Sequence, residues 1–190
     1  MTRIAARQLA VQMLFSMEAN AAAAEDTLAL FFSENHYDSL REEDELYQEQ
    51  PDEEQLRYIR RVTETTEAHR DEIDGIISRY AQGWKLNRIS RSTLAVLRCA
   101  ICEILYLEDV PNGAAVNEAV ELGKTYDSPE AGAFINGVLG SFLRSEISEG
   151  EIPADAEPET EEELPAGVGP EPDAAEENPQ AEADCEKSES

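Results

Sequence analysis

Two stretches of this chain contain arginine and no acidic residue, although the whole chain has 42 acidic side chains and only 15 basic ones. In the first stretch, residues 2–15, Arg3 and Arg7 are four positions apart and therefore share one face of a helix. The second stretch, Gly75–Cys102, contains five basic residues, which are Arg79, Lys85, Arg88, Arg91 and Arg98. Because a guanidinium group offers phosphate oxygens two parallel N–H donors, both stretches are candidates for phosphate binding.

If the fold brings the two stretches together, they form a local positive face that binds phosphates even on an acidic protein. Arg3 and Arg7 also oppose the dipole at the start of a helix, which suggests that they are there for another purpose. The alternative is that the arginines neutralise neighbouring acids such as Asp74 and Glu103. The charge pattern alone leaves both interpretations open.

Aromatic residues decide which phosphate-containing ligand the positive face would favour. Arginine side chains combined with aromatic rings are typical of proteins that bind single-stranded RNA, because the unpaired bases stack on the rings. Phe15, Tyr126 and Phe134 are candidate stacking residues. Aromatic residues at helical spacing also pack in cores, so this interpretation is open as well.

The sequence lacks the residue patterns of common enzymes: it has no glycine-rich phosphate loop, no nucleophile elbow and no HExxH helix. His36 and His69 are isolated, and we interpret them as surface or capping residues. Cys99 and Cys102 form a CxxC pair without a second ligand pair at zinc spacing, so we interpret them as core thiols. With Cys185 the cysteine count is odd, which gives no disulfide framework. We therefore expect no enzyme activity, catalytic residue, metal site or cofactor.

Composition divides the chain into a domain at residues 1–148 and an acidic tail at 149–190. The tail has sixteen acidic residues, one lysine, six prolines and no aromatic residue, so it carries −15 of the net charge of −27 and leaves −12 for the domain. We expect the tail to be disordered because it buries too little apolar surface to offset the entropy of ordering. No secretory signal or membrane-spanning stretch is recognisable, which predicts a cytoplasmic protein without membrane contact.

Apolar residues recur every three or four positions through the first 148 residues, which predicts an all-α fold. We expect one bundle of six or seven helices. Their approximate bounds are 3–18, 26–32, 56–80 as two helices or one with a break near Thr66, 90–107, 114–126 and 128–145, with an acidic loop holding at most one short helix at 34–55. The last helix is expected to bury Ala133, Phe134, Gly137, Val138 and Phe142.

Three blocks of this sequence resemble the NusB family in order and spacing. They are "ARQLAVQMLFS" at 6–16, "WKLNRISRSTLAVLRCAICEILYLEDVP" at 84–111 and "DVPNGAAVNEAVELGKTYDSPEAGAFINGVL" at 109–139. The resemblance covers residues 3 to about 143, weakly across 34–55, and omits the tail. Within the third block, we interpret Asn117 and Asn136 as bridging helices and Gly137 as permitting a close helix crossing.

The resemblance implies a transcription antitermination factor that is not an enzyme. Such a factor binds the boxA element of ribosomal RNA leader transcripts, as single-stranded RNA, together with the small-subunit ribosomal protein that acts as NusE. The complex joins other Nus factors and RNA polymerase and suppresses premature termination in ribosomal RNA operons. Some family members form homodimers that cover the RNA-binding face, which leaves the oligomeric state open.

The resemblance also implies site residues. Arg3 and Arg7 correspond to the arginine-rich start of the family's first helix, which contacts RNA. The turn with Thr93 and Arg98 is placed beside the ribosomal-protein partner. Further RNA contacts are expected at the end of the next-to-last helix and the start of the last, which here supply Lys124, Tyr126, Glu130 and Phe134.

This chain departs from the family pattern in its basic residues. Ile4 and Ala5 stand where other members often carry arginine, and Ala133 replaces a basic residue that commonly precedes the phenylalanine. Fewer cations predict weaker RNA binding by the isolated protein and a greater dependence on the partner.

Two other functions agree with a helical bundle of this kind. One is a purely protein-binding module, and the other is a detached NusB-like domain related to ribosomal RNA cytosine methyltransferases, although residues 149–190 cannot supply the catalytic domain. For the tail we favour a role in solubility over competition with RNA for the arginines.

Overall fold

The computed structural model describes residues 1–41 and 44–147, and within these ranges the chain forms eight α-helices and no strand. The helices are α1 (Arg3–Asn20), α2 (Ala24–Phe31), α3 (Glu34–Leu40), α4 (Glu53–Ala68), α5 (Arg70–Tyr80), α6 (Arg91–Tyr106), α7 (Asn112–Tyr126) and α8 (Pro129–Phe142). Single 3-10 turns occur at Glu45–Tyr47 and Leu86–Arg88, and a π turn follows α8 at Leu143–Ile147. The all-α prediction is confirmed, with eight helices rather than six or seven. The predicted disordered tail lies outside the described residues.

Helix α1 lies in the middle of the bundle and packs on α2, α4 and α6. Its apolar side chains surround most of the helix, and Leu9, Ala10 and Met13 are fully buried. Helix α1 is therefore mostly buried. Arg7, which lies among the buried residues of this helix, must therefore be accommodated within the protein.

Side-chain caps start α6 and α8 at the predicted helix bounds, residues 90 and 128. Ser90 accepts a hydrogen bond from the backbone N–H of Thr93 at the start of α6, and Ser128 accepts one from Ala131 at the start of α8. Pro129 follows Ser128 at the first position of α8, where a missing N–H costs nothing. These two caps set the start of the helices that border the candidate site.

The stretch 56–80 forms two helices rather than one. Helix α4 ends at Ala68 and α5 begins at Arg70, so His69 terminates one helix and starts the next. The His69 ring stacks on Tyr106 with the ring centroids 4.3 Å apart. His69 is therefore a capping residue, as expected.

The cysteines of the CxxC pair are buried in the core, as expected. The Cys102 thiol points at the backbone carbonyl of Val62, with 3.7 Å between sulfur and oxygen. Burial raises the pKa of Cys102 to about 11 and that of Cys99 well above its ordinary value. No group of side chains in the described residues has the composition of a metal site.

Helices α7 and α8 pack closely through two glycines. A Cβ atom added to Gly123 would lie 2.3 Å from Ile135 Cδ1, and one added to Gly132 would lie 2.6 Å from Lys124 Cγ and 3.1 Å from the Val120 carbonyl oxygen. Gly137 is exposed, and a Cβ atom added to it would meet no neighbour within 4 Å, so its predicted role in a close crossing is wrong. Asn117 and Asn136 are exposed as well.

The buried face of α8 also differs from the prediction. Val138 and Phe142 are buried as expected, whereas Ala133 is exposed and Phe134 is half-buried. The other buried residues of this helix are Ala131, Gly132, Ile135 and Leu139.

Two alanine substitutions in α8 are expected to change stability in opposite directions. Gly132→Ala should lower the free energy of unfolding by about 1–2 kcal/mol, because the new methyl group overlaps the Val120 carbonyl and the Lys124 stem. Gly137→Ala should raise it by about 0.5–1 kcal/mol, because alanine favours the helix and meets no neighbour. Urea unfolding measures both. Equal effects from the two variants would contradict the described α7–α8 contact.

None of the helices in the described ranges has the length and apolarity needed to cross a membrane.

Candidate nucleic-acid interface

Arg7 is buried, with only 4% of its surface exposed, and it is bonded to Glu103 of α6, which is fully buried. Arg7 Nε lies 3.0 Å from each carboxylate oxygen, and Nη2 lies 2.8 Å from Oε1. Tyr58 of α4 donates a third hydrogen bond to the same oxygen at 2.8 Å. Burial alone would lower the pKa of Arg7, but the hydrogen bonds and charge of Glu103 raise it overall. Arg7 is therefore a permanently charged part of the core.

Arg98 and Thr93 also make internal contacts, and both lie within helix α6 rather than in a turn. Arg98 donates to both carboxylate oxygens of Asp74, at 2.7 and 2.8 Å, and to Glu18 at 3.0 Å. Thr93 donates to Asp127 at 2.9 Å. Neither side chain has the exposure that a contact with a partner protein requires.

The sequence left two interpretations of the arginines open, and the structure distinguishes them residue by residue. The interpretation that Arg7 belongs to one solvent-facing guanidinium cluster is wrong, because Arg7 is buried. A charge buried in a helical core requires an opposite charge beside it. Neutralisation by acids is confirmed for Arg7 with Glu103 and for Arg98 with Asp74.

Arg3 is exposed, with 47% of its side-chain surface accessible, but it is not an isolated cation. Its guanidinium lies 2.7 Å from Asp109 and 5.3 Å from the centre of the Tyr58 ring. The shallow pocket beside it is lined in part by Asp52 and Glu54. The hydrogen bond from Arg3 lowers the pKa of Asp109, so this pair stays ionised near neutral pH. The surroundings of Arg3 are thus more acidic than its sequence neighbours suggest.

The predicted residues of α7 and α8 lie on the last turn of α7 and the first turns of α8, on either side of the turn that joins the two helices. Lys124 is exposed and forms an ion pair with Glu121 at 2.8 Å, one turn away on the surface of α7. Tyr126 and Phe134 are half-buried, and Glu130 is exposed. These four residues define the α7–α8 junction, which offers a surface cation and two aromatic rings.

Both aromatic rings of the junction contact side chains from other parts of the bundle. Phe134 packs edge-on against Trp84, with ring centroids 5.8 Å apart. Tyr126 adjoins Gln12 of α1, and Gln12 accepts a hydrogen bond from Tyr47 at 2.9 Å. Burial raises the pKa of Tyr126, so its hydroxyl remains a neutral donor. The rings are therefore held in place before any ligand arrives.

The turn between α7 and α8 is held by Asp127, whose role the sequence did not reveal. One carboxylate oxygen of Asp127 accepts hydrogen bonds from Ser90, from Ser92 at 3.3 Å and from Thr93 at 2.9 Å. This contact places the segment that precedes α6 directly beside the junction.

The α7–α8 junction and the start of α1 are separate places on the molecule. Gln12, which contacts Tyr126, lies nine residues beyond Arg3 on α1. At a rise of 1.5 Å per residue, this is about 14 Å along the helix axis. The predicted RNA-binding residues thus divide into the junction and a distant Arg3.

Comparison with known proteins gives a consistent result. A sequence model described as the NusB family matches residues 4–144. The chain is 37% identical to the transcription antitermination protein NusB of Alkaliphilus oremlandii over 146 residues, which cover 77% of this chain and 96% of that relative. It is 36% identical to the protein of the same name from Symbiobacterium thermophilum over 144 residues, 76% of this chain and 90% of the relative.

Solved structures share the fold. T. maritima NusB is 27% identical, with a TM-score of 0.63, and the match covers 76% of this chain and 92% of that one. A crystal structure of the antitermination factors NusB and NusE in complex with double-stranded RNA contains a chain that is 22% identical, with a TM-score of 0.60. That match covers 75% of this chain and 96% of the other, and it shows similarity of fold.

Proposed function

This chain belongs to the NusB family, and from that premise we propose that its α7–α8 junction binds single-stranded boxA RNA of ribosomal RNA transcripts during transcription antitermination. The relatives are named as transcription antitermination proteins, and the protein is an antitermination factor rather than an enzyme. The observation that carries the assignment of the site is that the two helix ends on either side of one turn present an exposed lysine and two half-buried aromatic rings, of which Phe134 packs on Trp84.

Each residue of the junction has a distinct part in this proposal. Lys124 binds a phosphate, and its weak surface ion pair with Glu121 breaks when the ligand binds. Phe134 and Tyr126 provide faces on which bases or sugars pack. Glu130 accepts hydrogen bonds from base amino groups or ribose hydroxyls. The site therefore combines backbone and base contacts.

The two arginines of α1 have different parts. Arg3 is a peripheral phosphate contact, since its guanidinium is exposed but already shared with Asp109. Arg7 acts indirectly: its bonds to Glu103 fix α1 against α6, and its Nη1 lies 3.8 Å from Glu118 of α7. The RNA-binding role of Arg7 is thus to position α7.

Partners follow from the same proposal. One relative of this fold was solved with NusE and RNA, and we infer that the ribosomal protein acting as NusE binds beside the RNA here as well. Thr93 and Arg98 are buried, so they support that surface from within rather than contact the partner. The complex then joins other Nus factors and RNA polymerase in the cytoplasm. The domain at residues 1–148 makes these contacts. A homodimer would compete with RNA for the same face.

Binding to boxA RNA tests the proposal. In electrophoretic shift and anisotropy titrations, the full chain should prefer boxA RNA over a scrambled RNA, and the ribosomal protein should strengthen the preference. With two to four phosphate contacts, log K should fall with log salt at a slope of about −1.5 to −3. Equal binding of both RNAs, with and without the ribosomal protein, would indicate a protein-binding module instead.

A further inference from the structure

The segment between α5 and α6, together with the first residue of α6, exposes three cations that no site described above uses. Lys85, Arg88 and Arg91 are all exposed, and none of them forms an ion pair with any residue in 1–41 or 44–147. We call these three residues the basic loop. The other two cations of the same acid-free stretch differ, since Arg79 pairs with Glu146 and Arg98 with Asp74.

The basic loop is fixed at both ends against the α7–α8 junction. At its start, Trp84 packs on Phe134 with ring centroids 5.8 Å apart. At its end, Ser90 donates a hydrogen bond to Asp127, the residue between Tyr126 and the start of α8. Within the loop, the Arg88 N–H donates to the Lys85 carbonyl at 2.8 Å and closes a 3-10 turn. Lys85 and Arg88 therefore lie in a segment that contacts the junction at both ends, and Arg91 follows it as the first residue of α6.

Nearby acids do not cancel this charge. The carboxylate of Asp127 is occupied by the hydroxyls of Ser90, Ser92 and Thr93, and Glu130 is the exposed acid at the start of α8. Residues 84–91 contain three cations and no acid, which makes a local positive excess on a chain whose net charge is −27. Such an excess attracts polyanions at short range even when the whole molecule is acidic.

The exposed chemistry of the basic loop favours a nucleic acid over a protein partner. Protein interfaces use apolar and aromatic anchors at their centre. Here Trp84, Leu86 and Ile89 pack against the core, and the large apolar side chains that are exposed, Ile4, Phe15, Leu30 and Leu56, lie on other elements. The loop thus offers charge without an apolar anchor.

We propose that the basic loop binds the phosphodiester backbone of single-stranded RNA as the strand continues past the bases packed on Phe134. The proposal rests on the proposed function, because it extends the same site. The two guanidinium groups supply forked N–H donors for phosphate oxygens, and Lys85 supplies a third charge. Contacts of this kind add affinity and fix the path of the strand without reading its sequence.

The test compares two double variants with equal loss of charge, Arg88→Gln/Arg91→Gln and Arg57→Gln/Arg60→Gln. Arg57 and Arg60 are exposed on α4, which packs on α1, α2, α5 and α6 rather than on α8. The probe is fluorescently labelled boxA RNA, titrated by anisotropy over a range of salt, with and without the ribosomal protein. Urea unfolding checks that both variants are folded.

Loss of two phosphate contacts should make the salt slope less steep by about 1.4, which corresponds to roughly 25-fold weaker binding at 0.1 M salt. The variant in the basic loop should show this loss on boxA and scrambled RNA alike, and the α4 variant should show little change. Equal effects from the two variants would overturn the proposal. An intact RNA affinity with a loss of ribosomal-protein binding would overturn it as well. Neither result would contradict RNA binding at the α7–α8 junction. Failure of the unaltered chain to prefer boxA RNA would overturn the proposed function and this extension together.

Discussion

Replacing Glu103 by glutamine is expected to destabilise the protein by about 3 kcal/mol, although glutamine has nearly the same shape. Glutamine lacks the negative charge that Glu103 supplies to the buried Arg7 guanidinium. An arginine side chain stays protonated in proteins, so the guanidinium cannot escape the loss by releasing its proton. A buried cation without its partner is among the most costly defects that a single substitution can create.

Urea unfolding of Glu103→Gln and of Glu108→Gln measures this effect. Glu108 is exposed just after α6, and its substitution removes the same charge without affecting a buried pair, so a change within about 0.5 kcal/mol is expected. A Glu103→Gln variant as stable as the Glu108 control would mean that Arg7 is not held in the core as described.

The second large effect is on RNA affinity. The double variant Lys124→Gln/Phe134→Leu should bind boxA RNA at least about 25-fold more weakly at 0.1 M salt. Loss of one phosphate contact accounts for about fivefold, and loss of base stacking on one ring for about fivefold or more. Leucine retains most of the apolar contact with Trp84, so the change acts on the ligand more than on the fold. Anisotropy titration with labelled boxA RNA gives the affinity.

Two controls distinguish an effect at the site from a general effect of charge and from a loss of folding. Arg60→Gln removes one exposed cation from α4 and should leave the affinity nearly unchanged. The urea midpoint of the double variant shows whether the bundle is intact. A folded double variant that binds boxA RNA like the unaltered chain would remove the α7–α8 junction from the proposal.

The sequence predicted local structure well because the signals for it are local. Ser90 and Ser128 cap the two helices that were predicted to start at residues 90 and 128, and Pro129 occupies the first position of α8. The break at His69 lies three residues from the predicted one at Thr66. Capping groups and helical periodicity act within four or five residues, so they can be recognised in the sequence without knowledge of the fold.

The partners of the arginines could not be predicted because they are distant in sequence. Arg7 and Glu103 are 96 positions apart, and Arg98 and Glu18 are 80 apart. The acid-free stretch Gly75–Cys102 drew attention to five basic residues. It could not show that Arg79 and Arg98 have partners whereas Lys85, Arg88 and Arg91 form no ion pair within the described ranges.

The orientation of α8 was misread for a different reason. Small and apolar residues occur on nearly every side of this helix, so the apolar pattern does not define one face. The structure buries Gly132 and Ile135 and exposes Ala133 and Gly137, a rotation that brings Gly132 against α7. Contact between two particular glycines depends on how the helices cross, which composition does not encode.

The central claim is that RNA binds at the α7–α8 junction rather than at an arginine cluster on the first turn of α1. The measurement that tests it most directly is the boxA RNA affinity of Arg3→Gln beside that of Lys124→Gln/Phe134→Leu, in one buffer at 0.1 M salt. We expect Arg3→Gln to lose less than about fivefold, because Arg3 already shares its charge with Asp109, and the double variant to lose at least about 25-fold. A loss for Arg3→Gln that equals or exceeds the loss for the double variant would contradict the claim.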